Sequence, residues 1–238
     1  MSDLLTPRPA GWHPPALAPD YKSSRLRSPQ NKPLRMPTGP AELAGPTFGH
    51  DLIGPNDHNM IINYTGEMAI GSRLIVHGRV QDEDGQPVTG ALIEAWQANA
   101  GGRYRHKNEG YLAPLDPNFG GCGRTITDDQ GHYRFLTIQP GAYPWPNGPN
   151  SWRPAHIHFS LFGHSFAQRL ITQMYFEGDP LISLCPIVQA IPSEQAVKTL
   201  VARLDMDTNT PMDSIAYRFD MTLRGRDQTH FETKPEGS

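Results

Sequence analysis

The stretch Arg153-Pro154-Ala155-His156-Ile157-His158-Phe159 reads as a β-strand with two imidazoles at i and i+2. Alternate residues of a strand share a face and lie about 6.6–6.8 Å apart along it. Two histidines so placed can close on one metal ion from the same side, because neutral imidazole is a ready ligand. Paired histidines on a strand are also common as partly buried packing. The motif alone leaves both readings open, and its neighbours in sequence decide between them.

Runs rich in Val, Ile, Tyr, Phe and Thr extend the β reading in both directions. They are Met60–Tyr64, Arg73–Gln81, Gly90–Ala98, Gly131–Thr137, Ala155–Leu161, Arg169–Phe176 and Ile215–Leu223. Turn signals separate them: Asp82-Glu83-Asp84-Gly85, Asp128-Asp129-Gln130-Gly131, Pro140-Gly141 and Asn147-Gly148-Pro149-Asn150. Short strands punctuated in this way predict an all-β protein built as an antiparallel β-sandwich. One short helix is expected from Ser193 to Leu204, with Ser193 as N-cap. Its Ala196, Val197, Leu200, Val201 and Leu204 fall at helical spacing. Gly101 to Gly123 reads as a long loop rich in Arg, Tyr, Asn and Gly, the kind of segment on which sites are built.

The chain has 238 residues, 37% of them hydrophobic, enough for a sizeable core in one domain. A net charge of −3, evenly spread, argues against a nucleic-acid partner. There is no apolar run of about 18 residues, so no membrane-spanning helix is expected. The first residues lack the basic and apolar regions of a secretory leader. Cys122 and Cys185 cannot build a disulfide framework and read as reduced thiols. A soluble cytoplasmic protein is expected. Residues 1–46 hold ten of the 24 prolines, which favours extended backbone over helix. Trp12, Leu17, Tyr21, Leu26 and Leu34 are apolar groups that want a surface. Residues 1–46 are therefore expected as an arm laid over this domain or a partner subunit, and residues 47–238 as the sandwich domain.

Two tyrosines sit in unusual settings. Tyr104 lies in the glycine-rich, basic turn Gly101-Gly102-Arg103-Tyr104-Arg105-His106, and Tyr143 in Pro140-Gly141-Ala142-Tyr143-Pro144-Trp145, just before the histidine strand. Singly, each passes for a surface or turn residue. With His156 and His158 they suggest a metal site. A phenol titrates near about 10, so a tyrosinate at neutral pH needs a strong positive charge beside it, such as a bound cation. Phenolate is a hard anionic donor that suits Fe(III) better than softer metals, and zinc would recruit Cys or more His.

In this order the segments Trp96-Gln97-Ala98-Asn99-Ala100-Gly101-Gly102-Arg103-Tyr104, Pro140–Trp145 and Trp152–His158 resemble the intradiol ring-cleaving dioxygenases. The likeness extends over nearly the whole chain, including Trp12-His13-Pro14 and Pro19-Asp20-Tyr21-Lys22 in the arm. The resemblance implies a transthyretin-like β-sandwich and a mononuclear non-haem Fe(III) held by Tyr104, Tyr143, His156 and His158. It implies cleavage by O2 of a catechol ring between its two hydroxyl-bearing carbons. Catechol and hydroxyquinol branches of the family carry a helical N-terminal region, so the proline-rich arm favours protocatechuate, giving 3-carboxy-cis,cis-muconate, within the beta-ketoadipate pathway of aromatic catabolism. It further implies that Tyr143 serves as both ligand and general base, and that Arg153 stabilises charge developing on the substrate. Trp145, Gln173 and Ile187 would line the substrate pocket, with Tyr21 near a ring carboxylate. A homologous alpha chain is the implied partner in a hetero-oligomer.

Other readings stay open at this point. Gly78–Ala91 and Thr127–Gly141 also look like transthyretin-like binding modules, a likeness of scaffold and not of function. A non-catalytic alpha-like subunit and a catechol-type substrate are the remaining alternatives.

Overall fold

Alternating apolar residues become strands wherever a second alternating run can cover them. The protein is described here by a computed structural model, which covers residues 17–27, 53–163, 169–223 and 228–230. Among these residues the chain runs α1 (Ser24–Arg27), β1 (Arg73–Gln81), β2 (Leu92–Gln97), β3 (Cys122–Ile126), β4 (His132–Ile138), β5 (Tyr143–Pro144), β6 (Trp152–Arg153) and β7 (His156–Phe162). It continues through β8 (Arg169–Phe176), α2 (Pro186–Gln189), α3 (Glu194–Lys198), β9 (Val201–Leu204), β10 (Ser214–Arg218) and β11 (Met221–Thr222). No helix among the described residues is long and apolar enough to cross a membrane.

One half of the sandwich pairs β4, β1, β10 and β9, and the other pairs β3, β2, β7, β8 and β9. Strand β9 belongs to both, bonded to β8 on one side and β10 on the other, so it forms the corner. Most ladders are antiparallel, as the short turns require, while β1 runs parallel to β10 and β11, and β8 to β9. The two halves meet at aromatic rings. Phe159 of β7 lies 6.1 Å from both Tyr133 and Phe135 of β4 and 5.6 Å from Phe219, spacings at which edge-on rings attract. Val76, Ile93, Ile157, Leu161 and Met174 complete that core.

Three expectations change. Met60–Tyr64 forms turns, not a strand: the Met60 N–H bonds to Leu136 C=O, after which Asn59 C=O accepts from both Ile62 and Asn63. The predicted helix stops early, at Lys198. Ser193 does cap it, its Oγ accepting from Ala196 N–H at 3.2 Å. Beyond Thr199 the chain becomes β9, whose backbone groups pair with β8 on one side and β10 on the other. The last strand breaks at Phe219 and Asp220, where Gly78 touches the chain so closely that a Cβ would stand 2.0 Å from Phe219 O. Of the arm, only residues 17–27 are described; Trp12, Leu34 and the boundary at residue 46 lie outside the described residues.

For the site, the register of β7 is what counts. Ile157, Phe159 and Leu161 point into the core, so His156, His158 and Ser160 point to the opposite face. That face is also buried, with His156 2% and His158 4% exposed.

Candidate metal centre

The floor of the site is the outer face of β2, β7 and β8. Cross-strand pairing places Trp96 and Gln173 on either side of His158, and Tyr175 beside His156. The Trp96 and His158 rings stack 4.9 Å apart and only 3° from parallel. This fixes the imidazole plane. His156 is held differently: its Nδ1 donates to Pro154 C=O at 2.7 Å. That bond selects the tautomer whose Nε2 carries a free lone pair, the arrangement usual for a metal-binding histidine.

Both imidazoles are neutral. Burial, then the Arg153 charge, lowers His158 to about 3 from its ordinary 6.5. Burial, Arg153 and His158 push His156 well down, against the pull of its bond to Pro154.

Tyr104 arrives from the long loop after β2. Its hydroxyl lies 3.3 Å from His156 Nε2 and 3.1 Å from His158 Nε2. The loop is shaped by buried Asn99, whose Oδ1 accepts from the N–H groups of Gly101 and Arg103 at 3.0 Å each. Its Nδ2 donates to Pro114 C=O at 2.9 Å. Tyr143 comes from β5, its ring 5.5 Å from Tyr104 and 5.6 Å from His156. The two tyrosine segments touch backbone to backbone. Gly102 has φ +82°, and a Cβ there would stand 2.3 Å from Ala142 O. Gly102→Ala is therefore expected to lower stability by at least about 1–3 kcal/mol from backbone strain alone and to separate Tyr104 from Tyr143. Urea unfolding checks the first effect; an unchanged midpoint would show that the loop yields freely.

Strands β5 and β6 form a two-residue ribbon in which Tyr143 faces Arg153 directly. Arg153 is 5% exposed. Its Nη2 donates to Gln173 Oε1 and, at 3.5 Å, to Tyr175 OH, which itself donates to Gln173 Oε1 at 3.0 Å. Burial works against the guanidinium charge, yet Tyr175, Tyr143, Cys185 and Tyr104 hold it above its usual value. Arg153 also lies 5.6 Å over the Trp145 ring, whose other neighbour is Tyr21 at 5.5 Å. Ile187, on α2, is half-buried against the apolar cluster that contains Tyr175, Cys185, Val188 and Leu200.

The structure thus gathers the rings of Tyr104, Tyr143, His156 and His158, with Arg153 and Gln173 beside them and Trp145 and Tyr21 in contact beyond Arg153. Sequence reasoning missed Tyr175, the stacking role of Trp96 and the part played by Asn99. Among the described residues no three His, Cys, Asp or Glu side chains gather in a way that could hold a metal. A metal here would depend on the two phenol oxygens. Two phenols and two neutral imidazoles, with no thiol, form a donor set that fits a hard trivalent ion such as Fe(III).

A family model described as "Dioxygenase" matches residues 43–225, and one described as "Protocatechuate 3,4-dioxygenase beta subunit N terminal" matches residues 6–38. The chain belongs to the intradiol ring-cleaving dioxygenases. It is 50% identical to the protocatechuate 3,4-dioxygenase beta chain of Burkholderia cepacia over 231 residues, 96% of this chain and 97% of that one. It is 30% identical to the protocatechuate 3,4-dioxygenase alpha chain of Pseudomonas putida, over 82% of this chain and 96% of that one. Among solved structures, a mercury-inhibited catechol 1,2-dioxygenase from an Acinetobacter species matches with a TM-score of 0.53 and 26% identity, covering 74% of this chain and 60% of that one.

Proposed function

We propose that this chain is the iron-binding subunit of an enzyme that cleaves protocatechuate with O2 to 3-carboxy-cis,cis-muconate, in the cytoplasm and in complex with a homologous alpha chain. The convergence of Tyr104, Tyr143, His156 and His158 carries the reading. The similarity to a beta chain over 96% of the chain, with an alpha chain as a second relative, supports substrate and partner. Both atoms of O2 end in the product, so the reaction balances with no other reductant.

Tyr104, Tyr143, His156 and His158 are the proposed iron ligands. Bound there, Fe(III) would supply the Lewis acid that favours the substrate as a catecholate and renders its ring reactive towards O2. The rest falls to the side chains. Tyr143 takes a substrate hydroxyl proton on its phenolate oxygen, acting as general base, which keeps the site's charge balanced as an anionic substrate enters. Tyr104, wedged between both imidazoles, stays in place. Arg153 holds a fixed positive charge aimed at the ring, and Gln173 and Tyr175 hold Arg153. Such preorganised charge costs no reorganisation as negative charge develops. Trp145, Ile187 and Tyr21 form the proposed pocket wall, with Tyr21 on the side of the ring carboxylate.

Oxygen uptake with product analysis tests the reading. Mole-for-mole consumption of O2 and protocatechuate, with 3-carboxy-cis,cis-muconate formed, is the expected result. Turnover of catechol alone would move the substrate assignment, and no turnover by iron-loaded protein would leave a transthyretin-like binding module. Tyr143→Phe is expected to retain iron, change colour and slow substrate binding by about 10²–10⁴-fold, the usual worth of a positioned base. Stopped-flow absorbance checks this, and wild-type binding kinetics would remove Tyr143 from the proton transfer.

A further inference from the structure

Asn147 has no part in the chemistry above, and in the sequence it reads only as a turn residue. In the structure it is 6% exposed, and both ends of its amide are committed to the N-terminal arm. Its Oδ1 accepts from Lys22 N–H at 3.0 Å, and its Nδ2 donates to Asp20 C=O at 2.8 Å. Those two groups flank Tyr21, so one side chain grips the arm on both sides of that residue. The arm segment is already shaped for the grip. Tyr21 N–H bonds to Ala18 C=O and Ser24 N–H to Tyr21 C=O, each at 2.9 Å. The Ser24 hydroxyl closes the turn, donating to Ala18 C=O at 2.8 Å and accepting from Ala18 N–H at 2.9 Å.

The same residue also reaches the pocket wall, because Asn147 N–H donates to Trp145 C=O at 2.8 Å. A continuous set of contacts follows: Asn147 fixes Tyr21 from one side and Trp145 from the other. The two rings meet at 5.5 Å, and Trp145 lies on Arg153 at 5.6 Å. If the arm lifts, a buried amide loses both partners, and each such loss is costly. The arm's position is therefore coupled to the wall beside the charged residue of the site.

We propose that Asn147 is a positioning residue: by clamping the arm at Asp20 and Lys22 it sets the Tyr21–Trp145 wall, and so the preference for a ring that carries a carboxylate. The preference rests on the reading of Tyr21 given under the proposed function; the clamp itself does not.

The test uses iron-loaded protein co-expressed with the alpha chain. In Asn147→Ala the Lys22 amide is expected to exchange with deuterium about tenfold faster, and KM for protocatechuate to rise about tenfold, as the loss of two ordinary hydrogen bonds predicts. The catechol KM, kcat and the visible spectrum stay near wild type, which a general loosening of the structure would not allow. Tyr21→Ala, which removes the ring and leaves the clamp, should reproduce the KM shift while Lys22 stays protected. Wild-type exchange at Lys22 in Asn147→Ala overturns the clamp. Equal KM changes for both substrates, in either variant, overturn the preference. A wild-type complex that turns over neither substrate overturns the function and the preference together, and exchange at Lys22 then still decides the clamp.

Discussion

Exchanging His158 for alanine should leave a protein with less than about a tenth of the wild-type iron, since altering even a group behind a metal ligand costs about 10–100-fold in affinity. His158 is chosen over His156 because of how each is held. The His158 ring lies flat on Trp96, and its Nε2 is the nearer of the two to Tyr104 OH, 3.1 Å against 3.3 Å. Removing it deletes one of the four proposed donors and leaves Tyr104 with a single imidazole neighbour. The core side of β7, with Ile157, Phe159 and Leu161, is untouched, so the fold is expected to survive. Metal analysis gives the answer, with circular dichroism as the control for folding. A folded variant with full iron content would take His158 out of the donor set.

Arg153→Ala separates chemistry from metal binding. Iron should remain, because no atom of Arg153 is among the proposed donors, and turnover should fall by about 10²–10³-fold, the cost of deleting one preorganised charge or donor. Arg153→Lys should recover little. Arg153 meets Gln173 and Tyr175 through Nη2 alone, while its guanidinium carbon lies 5.6 Å over the Trp145 ring, a stacked position that a compact, strongly hydrated ammonium fills poorly. Gln173 and Tyr175 keep their mutual bond at 3.0 Å, so the floor should persist in both variants. Steady-state turnover measured beside iron content checks this, and full activity in the alanine variant would end the role assigned to Arg153.

The strands that form the sandwich were legible because a two-residue alternation shows in the letters of β1, β2, β4, β7 and β8. Strand β3 was not: Cys122-Gly123-Arg124-Thr125-Ile126 is an edge strand, half-exposed and without apolar alternation. Strand β9 was hidden for the opposite reason. Val201 and Leu204 continue the helical spacing of α3, and only pairing with two other strands overrides it. The proposed donors were legible through their order along the chain, tyrosine, tyrosine, then the histidine pair. What positions them was not. The stack of Trp96 on His158 depends on register between strands far apart in sequence, and the facing of Tyr143 with Arg153 on the register of a two-residue ribbon. Asn99 and Asn147 read as ordinary loop residues until the backbone groups they hold are known.

That Tyr104 and Tyr143 join His156 and His158 in binding iron and the catechol substrate is open to direct test. The most direct measurement is the visible absorption spectrum of the purified complex, with iron analysis, before and after anaerobic addition of protocatechuate. The expected result is one iron per chain and a red-brown phenolate-to-iron band that shifts when protocatechuate is added. A folded, iron-free and colourless protein, or an iron protein whose band ignores protocatechuate, would contradict it.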